Sequence, residues 1–233
     1  MNKYIHCNRY SCRKAVDVCV KCRYRKKCKD YNVRNRPIKW LPEDRQMTII
    51  NAIPEIHRPI FLWLKLHLRR PGEACALKWE DYDEINRTFL IRRTISAGNV
   101  VESTKTGSEH LIPCHRDFIF WIGKLSGNLR RGYIFTNKRA FAQGKRYSNN
   151  ALNRLWRNAC KRTGETIDLY SGLKHSSCSQ YINEKGLSLS ELQMITDHKK
   201  LDSVRRYADV QVARKRALME RGKIIPIRKV GDG

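Results

Sequence analysis

The sequence predicts an α+β fold that is mainly α-helical, with a small antiparallel β-sheet in its first third. From Trp40 onward, apolar residues recur mostly at the three- and four-residue spacing of amphipathic helices. One stretch between residues 87 and 113 instead carries short β-branched and aromatic runs around the turn-forming pair Gly98-Asn99. The pattern shows no internal repeat and no low-complexity segment, so one folded domain accounts for most of the chain.

The helices are predicted from their start and stop signals. Pro42 followed by two acidic residues marks a first helical turn, because proline and acids favour that position. Gly164 and Gly186 stand where helices end, because glycine adopts the left-handed backbone without strain. The predicted helices span residues 43–53, 57–68, 115–125, 148–163, 172–185, 188–196, 201–206 and 209–221.

The predicted sheet has three strands joined by two turns. The turns are Gly98-Asn99 and a segment over residues 104–107, whose residue types favour tight turns. Between and around them lie runs with the residue types of strands. The predicted strands lie within residues 87–96, 100–101 and 110–113.

The composition is strongly basic. Lys and Arg number 48 against 22 Asp and Glu, which gives a formal net charge of +26. Such an excess suits a polyanionic partner, of which nucleic acid is the commonest. An anionic membrane surface is the alternative, but no basic amphipathic helix stands out. No apolar run approaches the roughly 20 residues of a membrane span, and the charged start resembles no signal peptide, so we expect a cytoplasmic protein.

A domain boundary is predicted between Pro37 and Trp40. Before it, cysteines lie among basic residues, and after it the apolar pattern of a folded core begins. A length of 233 residues suffices for one well-packed domain with an appendage. We therefore predict a basic, cysteine-rich segment over 1–39, a folded domain over 40–222 and a C-terminal tail over 223–233.

The N-terminal cysteines follow the pattern C-x4-C-x6-C-x2-C-x5-C. Cys19 and Cys22 have the spacing of a zinc half-site, and Cys7 or Cys12 with Cys28 completes four ligands. Free thiols in a basic leader are the alternative, and an iron–sulfur cluster is a further one. Disulfides are not expected in the reducing cytosol. The cations around these thiols are predicted to contact nucleic-acid phosphates: Lys21, Arg23, Arg25, Lys26 and Lys27.

Residues 67–83 read HLRRPGEACALKWEDYD. This segment resembles the first signature of the tyrosine recombinases of the phage integrase family, L-R-x-x-E-x-x-x-L-x-W-x-D-x-D. The resemblance assigns the first catalytic arginine to Arg70, because Glu73 stands three residues further on. It makes Arg69 a neighbouring cation, which we predict to contact DNA. Taken alone, an ordinary i,i+3 ion pair on a surface helix explains the same residues equally well.

Two further motifs extend the resemblance. Lys105 lies in the turn Ser-Thr-Lys-Thr-Gly, which is similar to the turn that carries the family's catalytic lysine. His198 and Tyr207 hold the family's nine-residue interval between a histidine and the nucleophilic tyrosine, although Asp197 replaces the usual glycine. Taken singly, a surface lysine and a half-buried packing tyrosine are ordinary features. Two cations beside the tyrosine are predicted DNA contacts: Arg205 and Arg206.

The remaining family box, H-x-x-R followed by His, is altered. The matching residues 171–175 read SGLKH. Lys174 stands where the second arginine belongs, and Ser171 stands where the histidine belongs, with Tyr170 adjacent as a candidate substitute. Lysine keeps the positive charge but loses the planar fork that grips two phosphate oxygens. Lys174 and Ser171 are nevertheless the candidate catalytic residues of this box.

The resemblance covers about residues 40–221 and implies the tyrosine recombinase catalytic-domain fold. It implies cleavage of double-stranded DNA by Tyr207 through a 3′-phosphotyrosyl link, without a cofactor or catalytic metal, by a protein that assembles as a tetramer on DNA. A catalytically degenerate relative that only binds DNA is the main alternative. A type IB topoisomerase is a third, which the small size and the histidine-to-tyrosine interval disfavour.

Overall fold

The computed structural model forms two compact units, Met1–Ile38 and Lys39–Gly233. The predicted tail over 223–233, residues 104–106 of the predicted turn and nearly all of the predicted helix over 209–221 lie outside the described residues, so the division at 39 and 222 stays a prediction. In the described part of the chain, no helix is long and apolar enough to cross a membrane. The structure describes residues 4–7, 12–15, 22, 38–102, 107, 109–126, 130–137, 144–198, 200–208 and 220.

The first unit contains a β-hairpin that the sequence pattern did not predict. Strand β1 (Tyr4–Cys7) pairs antiparallel with strand β2 (Cys12–Ala15). Cys7 lies directly opposite Cys12 in the register, so these two residues flank the loop of the hairpin. Strands of four residues that contain charged side chains carry too little apolar alternation to be recognised.

The described part of the second unit contains seven of the eight predicted helices, with small shifts at their ends. Three of them are preceded by tighter or wider turns, 3₁₀-helical at Glu55–His57 and Arg116–Phe118 and π-helical at Ser171–His175. The α-helices are α1 (Glu43–Ala52), α2 (Arg58–His67), α3 (Pro71–Ala76), α4 (Ile119–Ser126), α5 (Asn149–Thr163), α6 (Ser176–Asn183), α7 (Leu189–Thr196) and α8 (Leu201–Arg205).

Helix α3 was not predicted, because it has only six residues and begins with Pro71-Gly72. Gly72 allows this helix to approach the β region closely. A Cβ atom at position 72 would lie 2.7 Å from the Thr94 hydroxyl oxygen and 2.8 Å from the Ile95 carbonyl oxygen. The short helix therefore requires glycine at position 72. Glycine has a low helix propensity, so the sequence gives no signal of a helix here.

The prediction of one strand within residues 87–96 is wrong, because the structure has two strands there, in different sheets. Strand β4 (Thr88–Ile91) lies between β3 (Tyr82–Asp83) and β7 (His110–Pro113), whereas β5 (Thr94–Ser96) pairs with β6 (Asn99–Val101) in a separate sheet. Arg92 and Arg93 interrupt the run, because their guanidinium groups turn to the carboxylates of Glu80 and Asp81. The β region thus consists of two small antiparallel sheets.

Helix α2 forms the centre of the second unit. Phe61 and Trp63 are fully buried. Phe61 stacks on Trp156 of α5 with ring centroids 6.2 Å apart, and Trp63 packs edge-on against Phe89 of β4 at 5.8 Å. Each such buried aromatic side chain contributes about 1.5–3 kcal/mol relative to exposure. Because α2 also contacts α3 and the π-helix, it supports two segments that carry predicted site residues.

Candidate active site

Arg70 stands immediately before helix α3, where Glu73 holds it. Its Nη1 donates to Glu73 Oε1 at 2.8 Å, and its backbone N–H donates to Glu73 Oε2 at 3.0 Å. The Glu73 side chain is 3% exposed and that of Arg70 is 25% exposed. Burial opposes the charge of Arg70, but Glu73 and the nearby Tyr170 hydroxyl raise its pKa above the ordinary value. A buried carboxylate therefore fixes a partly exposed, permanently charged guanidinium.

Lys174 lies inside the protein, on the π-helix. The residue is 1% exposed, and no described residue accepts a hydrogen bond from its Nζ. Burial lowers the pKa of Lys174 to about 8, and Arg70 and Arg69 act in the same direction. A buried ammonium is stable only when an opposite charge or acceptors compensate it. Lys174 therefore has donors to offer to an anion that enters beside Arg70.

Ser171 has a local structural role in this geometry. Its backbone N–H donates to Asp168 Oδ1 at 2.9 Å, and its hydroxyl also hydrogen-bonds to that carboxylate. The Ser171 carbonyl oxygen accepts from the Ser176 hydroxyl at 2.7 Å. These bonds satisfy polar groups at the start of the π-helix. They direct Ser171 toward Asp168, so the predicted catalytic assignment of Ser171 gains no support from its contacts.

His198 follows helix α7 and is held by Thr196. The Thr196 hydroxyl donates to the Leu192 carbonyl oxygen at 2.6 Å, and its oxygen lies 2.5 Å from His198 Nδ1. Because a hydroxyl has one proton, Nδ1 must carry the hydrogen in this pair and Nε2 is unprotonated in the neutral ring. Burial lowers the pKa of His198 to about 4, reinforced by the charges of Lys174 and Arg70. The ring is thus neutral at pH 7 and interacts with both predicted cations.

Tyr207 follows helix α8 and is 4% exposed. Its carbonyl oxygen accepts from Asn183 Nδ2 at 3.0 Å, which ties the end of α8 to α6. Its hydroxyl lies within hydrogen-bonding reach of the buried Cys178 thiol. Burial raises the pKa of Tyr207, and Arg206 and Arg70 act in the opposite direction. The predicted nucleophile therefore lies inside the site that contains Arg70.

Two aromatic side chains that the motifs did not assign complete the site. His175 packs against Tyr170 with ring centroids 4.7 Å apart and against Tyr207 at 5.6 Å. The Tyr170 hydroxyl lies within hydrogen-bonding reach of the Arg70 guanidinium. Tyr170 was a candidate substitute for the box histidine, and His175 is the residue that usually follows the family's second arginine. The signal for His175 was present in the sequence, but its contact with Tyr207 was not.

Arg69 has a different place from the one expected of a DNA contact. The residue is 4% exposed, and its Nη1 donates to Asp197 Oδ2 at 2.7 Å. Its other donors bond to the carbonyl oxygens of Ile195 at 2.8 Å and His67 at 3.1 Å. The guanidinium thus clamps the end of α7 to the corner between α2 and α3. We correct the expectation accordingly, since Arg69 is committed within the protein.

Some of the remaining predicted site residues lie on the surface, and most of the others lie outside the described residues. Arg205 and Arg206 are exposed beside Tyr207, and their predicted contact with DNA stays a prediction. Cys22 is partly buried, and the described residues contain no group of three or more ligands able to hold a metal. Structural zinc therefore stays a prediction. Outside the described residues lie Lys105, Lys21, Arg23, Arg25, Lys26, Lys27, Cys19 and Cys28.

The mainly helical fold, with Arg70, Lys174, His198 and Tyr207 brought together, is the one expected of a tyrosine recombinase catalytic domain. The chain belongs to the phage integrase family, whose model matches residues 39–214. No curated protein sequence matches the chain at a significant level.

Solved structures of tyrosine recombinases share this fold. The integrase of the Tn1549 transposon in complex with transposon right end DNA has a TM-score of 0.64 at 17% identity, over 80% of this chain and 66% of that one. The XerA recombinase has a TM-score of 0.60 at 18% identity, over 79% and 64%. A lambda integrase tetramer bound to a Holliday junction has a TM-score of 0.56 at 19% identity, over 78% of this chain and 52% of that one. The chain thus covers two thirds or less of each of these three solved chains.

Proposed function

We propose that this chain is a site-specific DNA recombinase that cleaves and rejoins DNA strands through a covalent 3′-phosphotyrosyl intermediate. The observation that carries the proposal is the meeting of Tyr207 with two cationic side chains and a histidine. Tyr207 interacts with Arg70, and His198 interacts with both Arg70 and Lys174. Membership of the phage integrase family supports the same reaction.

The cations bind and neutralise the scissile phosphate. A phosphodiester is anionic and repels an incoming phenolate, so its charge must be compensated before attack. Arg70 presents a guanidinium that Glu73 holds in position, and Lys174 adds a desolvated ammonium that donates to none of the described residues. Donors that are fixed in advance stabilise the charge that grows on the non-bridging oxygens in the transition state.

His198 responds to the bound phosphate. Its pKa is low because the ring is buried and cations surround it, and an anion between those cations removes the second cause. Since Thr196 holds the hydrogen on Nδ1, an added proton goes to Nε2, which then donates to a phosphate oxygen. His198 thus becomes a donor when the substrate arrives.

Tyr207 supplies the nucleophile. Its hydroxyl oxygen gives up its proton to a general base as it attacks phosphorus, and the 5′ oxygen leaves with a proton from a general acid, for which Lys105 is the candidate. The energy of the phosphodiester is kept in the phosphotyrosyl ester, so a 5′ hydroxyl from a partner strand reverses the step without a nucleotide cofactor. Two such exchanges through a four-way junction constitute recombination.

Double-stranded DNA and further copies of this chain are the proposed partners. The net charge of +26 and the exposed Arg205 and Arg206 beside Tyr207 support binding to a DNA backbone. The similar lambda integrase forms a tetramer on a Holliday junction, which supports a tetramer here. Each copy contributes one tyrosine, so strand exchange needs several copies on one DNA.

The experiment that tests the function is covalent trapping on a nicked suicide duplex, whose cleaved fragment diffuses away and prevents rejoining. Wild-type protein should form a protease-sensitive DNA adduct. Tyr207→Phe keeps the packed ring and removes the attacking oxygen, so adduct should vanish while DNA binding persists. Tyr181→Phe is the matched control and should form adduct. DNA binding without any wild-type adduct would favour the catalytically degenerate alternative instead.

A further inference from the structure

The Tyr207 ring has two imidazole neighbours in the described structure. The His175 ring centroid lies 5.6 Å from that of Tyr207 with the planes at 60°, and the His198 centroid lies 6.1 Å away with the planes at 59°. Ser171, which occupies the position of the box histidine, turns its hydroxyl to Asp168. Burial raises the pKa of the neighbouring Cys178 thiol to about 11, so that group keeps its own proton. Among the described residues in contact with Tyr207, His175 and His198 are therefore the candidate acceptors for the hydroxyl proton.

The π-helix explains how His175 reaches the site. In an α-helix, residues five apart point about 140° away from each other around the axis. A π-helix pairs residue i with residue i+5, so Tyr170 and His175 lie over one another, and their ring centroids are only 4.7 Å apart. Because Tyr170 contacts Arg70, the same turn brings His175 to the edge of the phosphate-binding cluster.

The charged groups around His198 and His175 differ, and so do the roles that the two imidazoles can take. Beside the effect of burial, His198 has around it three cations that gather about a phosphate, Lys174, Arg70 and Arg69, together with the carboxylate of Asp197. The groups that act on His175 are Arg206, Lys174 and the carboxylate of Asp168, with Tyr170 and Tyr207 in ring contact. Asp168 favours the protonated form of His175. In the proposed reaction His198 Nε2 donates to a phosphate oxygen. His175 is therefore the better placed of the two rings to take a proton from the nucleophile.

We propose that His175 accepts the proton of the Tyr207 hydroxyl during DNA cleavage, in the place of the box histidine that Ser171 replaces. This inference rests on the proposed function. The proton moves from Tyr207 Oη to a ring nitrogen of His175 as the bond from Oη to phosphorus forms. The bond from phosphorus to the 5′ oxygen breaks, and that oxygen takes a proton from the general acid. Rejoining reverses each transfer, and His175 returns the proton to Oη.

The first test is single-turnover cleavage of the nicked suicide duplex by His175→Ala and His175→Gln. Both variants should bind DNA like the wild type and cleave about 100-fold more slowly, the usual effect of losing a positioned general base. His115→Ala is the matched control, because His115 is a half-buried histidine whose ring accepts from the Asp117 backbone N–H, away from Tyr207. It should cleave at the wild-type rate.

Rescue separates proton transfer from packing. Added imidazole should raise cleavage by His175→Ala, and the double variant Ser171→His/His175→Ala should recover at least tenfold, because either change restores an imidazole near Tyr207. A duplex with a 5′-bridging sulfur, a leaving group that needs no acid, should rescue Lys105→Ala and leave His175→Ala slow.

Each outcome decides the inference. Wild-type cleavage with an unchanged His175→Ala rate overturns it and leaves the proposed function standing. A loss that neither imidazole nor Ser171→His restores gives His175 a packing role and also overturns it. Absence of any wild-type adduct overturns the proposed function and this inference together, and the wild-type arm identifies that case.

Discussion

A lysine at position 174 changes how the site carries its charge. An arginine remains protonated at every physiological pH, whereas an ammonium that is removed from water loses its proton more easily. Burial lowers the pKa of Lys174 to about 8. The positive charge of Lys174 is therefore lost as the pH rises through this range, whereas a guanidinium at the same position would keep its charge.

Cleavage measured below saturation should consequently fall as the pH rises through about 8 in the wild type. The sign follows from the lowered pKa, since Lys174 is charged below that value and neutral above it. Lys174→Arg should keep its rate into the alkaline range, and Lys174→Ala should cleave about 100-fold more slowly throughout, as expected from loss of one oxyanion donor. Single-turnover rates across this pH range provide the measurement.

Lys185→Arg is the control for that series, because Lys185 is a partly exposed lysine paired with Glu43. Its pH profile should match the wild type. An identical alkaline decline in Lys174→Arg would show that another group causes it. Equal cleavage by the wild type and Lys174→Ala would show that Lys174 does not hold the phosphate, and the alignment of this family box would have to be abandoned.

The spacing of the sequence motifs was enough to identify the four residues that meet in the candidate site. Arg70, Lys174, His198 and Tyr207 lie far apart in the chain and interact in the structure. Motif spacing could not predict contacts that depend on the local geometry of the backbone. His175 faces Tyr207 because the helix widens to a π-turn, and periodicity arguments assume the α-helical repeat.

At the scale of elements, the Arg69–Asp197 ion pair connects helix α7 to the corner between α2 and α3. Leu68 has a left-handed backbone with φ 55°, which ends α2 and places Arg69 inside the corner. Asp197 also has a left-handed backbone, with φ 53°, at the end of α7. Family members usually carry glycine there, and in this chain the carboxylate bonded to Arg69 accompanies the strained backbone. The pair lies directly before His198.

Removing the charge of Asp197 should therefore destabilise the domain. Asp197→Asn tolerates the left-handed backbone and keeps the side-chain shape, but leaves the 5%-exposed Arg69 side chain without its carboxylate. We expect a loss of about 2 kcal/mol in the free energy of unfolding, below the range for fully buried pairs because Asp197 is 29% exposed. Urea denaturation measures it.

Asp202→Asn is the matched control, since Asp202 pairs with Arg205 at 3.0 Å while both side chains are largely exposed. Exposed pairs contribute little, so its unfolding free energy should stay within about 0.5 kcal/mol of the wild type. Equal losses in the two variants would remove the distinction between the clamp and an ordinary surface ion pair.

Helices were predictable and the β region was not, for a physical reason. Amphipathic helices such as α5 repeat their apolar face over several turns, and its predicted span over 148–163 differs from Asn149–Thr163 by one residue. The strands have two to four residues, and their pairing is decided by distant partners. Arg92 and Arg93 divide the predicted strand because Asp81 and Glu80 lie across from them, which no local pattern reports.

At the scale of the whole molecule, one catalytic-domain fold and a basic N-terminal unit account for the described chain. The second unit brings residues from α3, the π-helix and the segments after α7 and α8 to one site. The family match over residues 39–214 spans all of these segments. The proposed reaction depends on one atom of this domain, the Tyr207 hydroxyl oxygen, as the nucleophile toward DNA.

The residue to which DNA becomes attached can be identified by mass spectrometry. Wild-type protein is trapped on a nicked suicide duplex, the adduct is digested with protease and nuclease, and mass spectrometry locates the nucleotide-bearing peptide. We expect a single 3′-phosphotyrosyl linkage, at Tyr207. Attachment at Tyr170, Tyr181 or any other residue, or efficient DNA binding with no attached peptide, would contradict it.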